Sequence, residues 1–308
     1  MSTCLKIDLQ SLSCRLRLVG DSTIANLIYQ GRSLLQPTSD SAKLDTEILL
    51  SFVLEKERSY LLTWPERMLN EAQLLRFVEL LARRIQGEPI AYITKLKEFW
   101  SLPLQVSEAT LIPRPDTETL IEVVLEQYES NTNLSCLDLG TGTGAIALAL
   151  ASENPTWMID AIDYNAQAVK LAQTNAQALN LSSINIYQSD WFSHIDNDKK
   201  FDVIVSNPPY IDCEDKNLTQ GDVRFEPKSA LVSSDNGLAD IKHIADMSRQ
   251  YLTMNGALLF EHGFEQGRAV RDILTSLGFS NATTQQDLNG HDRITWAKLL
   301  TTSAKIDK

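Results

Sequence analysis

Leu137-Asp138-Leu139-Gly140-Thr141-Gly142-Thr143-Gly144-Ala145 decides the fold. Its apolar opening reads as a buried strand, its glycines as a sharp turn, and residues 146–151 beyond it as a helix. A strand that runs through glycines into a helix is the opening βα unit of a doubly wound sheet, and glycines there let a nucleotide-like ligand lie against the backbone. The spacing alone does not choose the ligand, because Gly140, Gly142 and Ala145 also satisfy the dinucleotide pattern.

Working outward, short apolar strands alternate with helices over residues 136–139, 146–151, 158–162, 166–179, 184–188 and 201–206. Residues 257–260 and 294–299 read as further strands with a helix near 266–277 between them, and residues 301–308 as a loose tail. The alternation predicts an α/β fold with a mostly parallel sheet. Upstream, residues 22–87 read as helical, with apolar positions Leu44, Ile48, Leu49 and Phe52, then Leu74, Phe77, Val78 and Leu81, at spacings of three and four. Arg83, Arg84 and Gly87 read as the closing cap of the last helix. Residues 88–115 turn to β-favouring types, among them Tyr92, Ile93, Phe99 and Trp100, and predict a hairpin bridging two domains; Asp116 then caps a helix from 117 to about 129.

Composition narrows the function classes. The chain has 308 residues, 43% hydrophobic and 22% charged, and suits one large α/β domain plus a smaller one. The net charge of −12 sits on the larger part: residues 1–100 hold 13 Lys/Arg and 12 Asp/Glu, residues 101–308 hold 15 and 28. Neutralising phosphates needs clustered cations, so a protein partner or a cationic cofactor fits better than nucleic acid. No apolar run approaches the roughly 20 residues of a membrane span, and the opening lacks a signal-peptide pattern, which points to a cytoplasmic protein. Cys4, Cys14, Cys136 and Cys213 are too scattered for a disulfide framework, and His194, His243, His262 and His291 lack metal-ligand spacing, so no metal is expected.

Three acidic or aromatic positions extend the glycine loop. Asp163 ends the second strand about 20 residues on, where a carboxylate accepts hydrogen bonds from ribose hydroxyls in either a nicotinamide or an S-adenosylmethionine site. Asp190 and Trp191 end the third, where a polar group meets an adenine amine and an aromatic covers its face. Nearby carboxylates such as Asp138 favour a sulfonium cation and repel a pyrophosphate.

The strand 201–206 then runs into Asn207-Pro208-Pro209-Tyr210. Successive prolines hold Asn207 and Pro208 extended and aim the Pro208 carbonyl rigidly. The lone pair of a conjugated NH2 is delocalised, so the nitrogen attacks poorly unless its geometry is constrained. Acceptors from the Asn207 side chain and the Pro208 carbonyl would hold both N–H groups, with Tyr210 stacked on the plane. Glutamine, adenine N6 and guanine N2 fit this description equally.

Over about residues 45–296 the chain resembles the HemK/PrmC family, the release factor glutamine methyltransferases. The resemblance is carried by Gly87-Glu88-Pro89-Ile90-Ala91-Tyr92-Ile93, Glu98-Phe99-Trp100, Leu111-Ile112-Pro113-Arg114-Pro115-Asp116-Thr117-Glu118, the glycine loop, Asp163, Ser189-Asp190-Trp191-Phe192, Asn207 to Tyr210, and Gly221-Asp222-Val223-Arg224-Phe225-Glu226-Pro227. It implies a helical substrate-recognition domain (22–87), a β-hairpin linker (88–115) and a seven-stranded Rossmann-like class I methyltransferase domain (116–300). It further implies N5-methylation of the glutamine in the Gly-Gly-Gln motif of class 1 peptide chain release factors, with S-adenosyl-L-methionine as donor and S-adenosyl-L-homocysteine as product. Gly140, Thr141, Gly142, Thr143, Gly144, Asp163, Trp191 and Asn207 carry over as cofactor contacts; Asn207, Pro208, Pro209 and Tyr210 carry over as the substrate-amide site. For Arg114 and Glu118 a structural loop and a substrate contact stay equally open. The first 20 residues or so read as an extension beyond the family's usual start. The partner expected is a release factor, with no direct nucleic acid, no membrane and a monomeric enzyme.

Overall fold

The computed structural model describes residues 22–129 and 133–299. The expected N-terminal extension with Cys4 and Cys14, and the expected loose tail, lie outside them. The chain divides into two compact units, one made of residues up to Lys95 with Gln220–Phe225, the other of Leu96–Thr219 with residues from Glu226 onward.

The first unit is built of helices Ile24–Leu35, Ala42–Leu54, Arg58–Thr63, Glu71–Ile85 and Ile90–Thr94. Thr23 accepts from the Asn26 amide and Asn70 forms a reciprocal capping box with Gln73, so side chains satisfy amides that the first turns leave free. Leu27, Leu49, Leu50, Phe77, Leu80 and Leu81 form the core. Leu44 and Phe52, expected on its face, are substantially exposed. The buried stripe of that helix runs instead through Ala42, Thr46, Leu49 and Leu50, because two overlapping stripes share the spacing of three and four.

Two sequence expectations are corrected here. Arg84 does not merely cap a helix: it is buried, and donates from Nε to Asp45 Oδ2 at 2.7 Å and from Nη1 to Asp222 Oδ1 at 2.9 Å. Arg224 Nη2 reaches the Gln86 carbonyl at 2.9 Å, over Gly87, where an added Cβ would fall 1.8 Å from that nitrogen. These two arginines make Gln220–Phe225 part of this unit. Tyr92 and Ile93 are not in a strand but in the short helix after Pro89, where both are buried; burial of their apolar surface overrides their β preference.

In the second unit, β1 (Leu96–Phe99) and β2 (Leu102–Gln105) form a hairpin shorter than the stretch 88–115 predicted for it. Trp100 and Ser101 turn it with φ of 52° and 57°, the left-handed pair of a tight two-residue turn. Glu118 accepts from the Trp100 amide at 2.8 Å and holds that turn. The expected helix cap at Asp116 is absent: a 3-10 turn, Pro115–Thr117, leads into helix Glu118–Tyr128, and Asp116 lies 3.4 Å from Arg293 instead.

Strands β3 (Ser135–Leu139), β4 (Met158–Asp163), β5 (Asn185–Gln188), β6 (Phe201–Ser206), β7 (Leu252–Glu261), β8 (Phe279–Gln286) and β9 (Asp292–Leu299) form one sheet in the order β5-β4-β3-β6-β7-β9-β8. Pairing is parallel from β5 to β7 and antiparallel at β7-β9 and β9-β8. Apolar clusters cover both faces, which is why β3 and β6 read as continuous apolar runs. The order reverses between β3 and β6, so the carboxyl ends of β3, β4 and β6 open onto one crevice. Among the described residues no helix is long and apolar enough to cross a membrane.

Candidate active site

A cleft of about 450 Å³ occupies that crevice, within the range of small-molecule sites. Gly140, Thr141, Gly142 and Thr143 form its floor after β3, Asp163 comes from the end of β4, Asp190 and Trp191 from the turn after β5, and Asn207 and Pro209 from the turn after β6. Residues that the sequence scatters over seventy positions are thus brought together by the strand order.

The glycine loop is pinned from below. Gly140 and Thr141 amides both donate to the Ile162 carbonyl, at 2.9 and 2.8 Å. Asp138 Oδ2 accepts from the Thr141 hydroxyl at 2.6 Å and the Ala147 amide at 3.3 Å. Gly140 and Gly142 have φ of +75° and +57°, and added Cβ atoms would point toward the Trp191 ring and Thr110. Gly144, expected as a ligand contact, does not line the cleft; a Cβ there would strike Leu148 and Ala172 at 2.9 and 3.2 Å, so its small size serves the packing of the following helix.

Electrostatics agree with a cation, though through different groups from those expected. Asp138 is fully buried, does not line the cleft, and burial pushes its carboxyl up to about 7; it braces the loop and is a poor fixed charge. Asp163, Asp190 and Asp240 do line it, and Arg114, the one arginine lining it among the described residues, is paired with buried Glu226. Asp163 already accepts from the Gly142 and Asn165 amides at 2.9 and 2.8 Å, and each oxygen keeps a lone pair for a ligand hydroxyl. Its carboxyl is raised by burial, against the two amides that lower it. Trp191 stands over Gly140 with φ 45°, a conformation that a tryptophan adopts only where its surroundings impose it. A cradle open at Gly140 and Gly142, the half-buried Asp163 carboxylate and an aromatic wall fit a nucleoside sulfonium.

At the other end of the cleft, Asn207 Nδ2 donates to the Thr117 hydroxyl at 3.3 Å. Tyr210 donates to Glu261 Oε1 at 3.2 Å, and its carbonyl accepts from Gln266 at 3.0 Å. Gly237, φ +79°, passes so close that a Cβ would lie 2.0 Å from that carbonyl oxygen. Burial and the neighbouring Glu261 push the Tyr210 phenol up, so it stays a donor. Pro208 is buried and Tyr210 packs partly against the core, so only part of the ring face expected to stack on a substrate is free.

Sequence reading missed Thr110, Thr117, Tyr164, Asn165, Ser189 and Asp240 as cleft residues. Thr117 and Ser189 lay inside quoted motifs without a role, whereas Asp240 lies on a helix after the site and gives no local signal. Glu118 holds the Trp100 turn through its hydrogen bond, and Arg114 both lines the cleft and ties it to Glu226.

Residues 115–225 match the methyltransferase small domain family and residues 26–94 the PrmC N-terminal domain family. The release factor glutamine methyltransferase of Vibrio cholerae is 54% identical over 262 residues, 85% of this chain and 91% of the relative. Its namesakes from Aliivibrio fischeri and Escherichia coli are 52% identical over 264 residues (86% and 93%) and 51% over 257 residues (83% and 92%). Among solved structures, the hMettl16 catalytic domain in complex with MAT2A 3'UTR hairpin 6 aligns with a TM-score of 0.53 at 16% identity, over 72% of this chain and 82% of that one, a likeness of fold.

Proposed function

The chain belongs to the release factor glutamine methyltransferase family, and from that premise we propose that it methylates the N5 amide nitrogen of the glutamine in the Gly-Gly-Gln motif of class 1 peptide chain release factors. The observation that carries this reading is the placing of Asn207, at the start of Asn-Pro-Pro-Tyr, in the same cleft as the glycine loop.

S-adenosyl-L-methionine, when bound, supplies an electrophilic methyl group on a sulfonium. Gly140 to Thr143 and Asp163 would hold its amino-acid and ribose parts, Trp191 and Asp190 its adenine. Asn207 Oδ1 and the Pro208 carbonyl each accept one N–H of the glutamine amide, turning its nitrogen toward the methyl carbon and letting the lone pair localise. With the donor bound, the pair making the N–C bond would come from nitrogen, the pair of the broken S–C bond would stay on sulfur, and the surplus amide proton would leave to water after transfer. No residue forms a covalent intermediate. The Tyr210 hydroxyl is committed to Glu261, so stacking on the amide falls to its ring face.

The match of residues 26–94 to the PrmC N-terminal domain supports assigning the helical domain (22–87) to grip the release factor, with 88–115 as linker and 116–300 as the methyltransferase domain. A monomer in the cytoplasm, needing no metal and no nucleic acid, goes with this reading. Mass spectrometry of a release factor after reaction tests it: the account expects one methyl group on the glutamine of Gly-Gly-Gln, and a methyl on any other residue overturns it.

A further inference from the structure

Gln266 stands at the start of the helix Gly267–Ser276, 56 residues beyond Tyr210 in the chain. Its side-chain amide is fully used. Oε1 accepts from the Gly263 amide at 2.8 Å, and Nε2 donates to the carbonyls of Tyr210 and Asn236, both at 3.0 Å. All three partners are backbone groups of fixed polarity, so the amide can face only one way. A carboxamide is the side-chain group that offers one neutral acceptor and two donors in this arrangement.

The two carbonyls belong to two segments that both line the cleft. Asn207 and Pro209 come from one, and Ser229, Ala230, Val232 and Asp240 from the other. Backbone bonds lace them together: the Ile211 amide donates to the Leu231 carbonyl at 2.9 Å and the Ser233 amide to the Ile211 carbonyl at 3.0 Å. The Asp240 amide in turn donates to the Ser233 hydroxyl at 3.1 Å. Gly237 closes the joint, since a Cβ there would lie 2.0 Å from the Tyr210 carbonyl oxygen and 2.8 Å from Gln266 Nε2. Pro208 and Pro209 fix φ at two successive positions and stiffen residues 207–210, so a shift of the Tyr210 carbonyl is passed on to the Pro208 carbonyl and Asn207.

We propose that Gln266 is a positioning residue whose amide clasps Asn-Pro-Pro-Tyr to residues 229–240, and so sets where Asn207 Oδ1 and the Pro208 carbonyl meet the methyl acceptor. This rests on the reading above that those two oxygens hold the NH2 of the substrate. The glycine loop after β3, Asp163 and Trp191 lie on other strand ends, so opening the clasp misaims the acceptor nitrogen and bears less on the cofactor.

The test uses the full-length enzyme with S-adenosyl-L-methionine and a purified class 1 release factor, and reads kcat, KM, cofactor Kd by calorimetry and Tm. Gln266→Glu keeps the shape and the acceptor for Gly263 but sets a carboxylate oxygen against two carbonyl oxygens; Gln266→Met keeps the length and removes all three hydrogen bonds. In both, kcat should fall about 10- to 100-fold, with KM and cofactor Kd changed less than about threefold, because a protein substrate docks through many contacts and the amide is aligned only for transfer. Gly237→Ala should open the same joint from its other side. Joined to Gln266→Met it should go no more than about threefold below the slower single variant, since both act on one carbonyl. Leu274→Ala is the control: it empties core space under the same helix, should lower Tm at least as far, and should keep kcat within about twofold. The proposal is overturned if both Gln266 variants keep kcat within about twofold, if Leu274→Ala is as slow as they are, or if the losses of Gln266→Met and Gly237→Ala multiply. Should Gln266→Glu melt below the assay temperature, Gln266→Met decides. Asn207→Ala, run beside them, separates the two readings: unchanged turnover there defeats the acceptor reading and the clasp with it, whereas a slow Asn207→Ala beside normal Gln266 variants defeats the clasp alone.

Discussion

Asn207 Nδ2 donates to Thr117 Oγ1 across 3.3 Å, tying the loop after β6 to a turn 90 residues earlier in the chain. The amide oxygen is thereby left as the acceptor of that side chain. Asn207→Ala should leave one substrate N–H without a partner, at about 1–3 kcal/mol, with a further loss from misorientation. Steady-state kinetics and calorimetry should show kcat falling more than cofactor affinity.

Two glycines of one loop should separate by function. Gly142→Ala puts a side chain at φ +57°, costing about 1–2 kcal/mol of stability, and its methyl points toward Thr110 in the cleft, so cofactor Kd should rise as well. Gly144→Ala meets Leu148 and Ala172 in the core and should lower Tm while leaving cofactor Kd of the folded protein nearly unchanged. Melting curves and calorimetry on both variants decide it.

Buried Arg84 pairs with two carboxylates, the buried Asp45 and the half-exposed Asp222. Removing the guanidinium strands the buried Asp45, which keeps only the Ser39 and Ser41 hydroxyls, so Arg84→Ala should destabilise the protein by about 2–4 kcal/mol in urea unfolding. A loss below 1 kcal/mol would mean that water replaces the guanidinium easily.

Asp138 should leave a signature in the pH dependence of stability. Burial raises its carboxyl to about 7, well above the ordinary aspartate range, so the native state holds this proton more tightly than the unfolded chain. The contribution is full below the unfolded pKa and is lost as pH rises from about 4 through about 7. Asp138→Asn cannot lose a proton there, so its Tm relative to wild type should climb across that window; a constant difference would place the titration elsewhere.

The sheet was legible where burial on both faces made apolar runs, as in β3 and β6, and illegible in β8, where Ser280, Thr283, Thr284 and Gln285 belong to an edge strand with few core contacts. The short helix at Tyr92 and Ile93 escaped because tertiary burial outweighed propensity. In the cleft, the places of Gly140 to Thr143, Asp163, Asp190, Trp191 and Asn207 were readable because each follows a strand whose end faces the crevice. Thr117, Glu261 and Asp240 were not, since their roles depend on partners distant in the chain, and Asp138 was misjudged because sequence gives no measure of its burial.

The most direct test is transfer of a labelled methyl group from S-adenosyl-L-methionine to purified release factor, to its Gln→Ala variant in Gly-Gly-Gln, to DNA and to ribosomal RNA in parallel. The account predicts label on the wild-type factor alone. Label on the Gln→Ala variant, or only on nucleic acid, would contradict it.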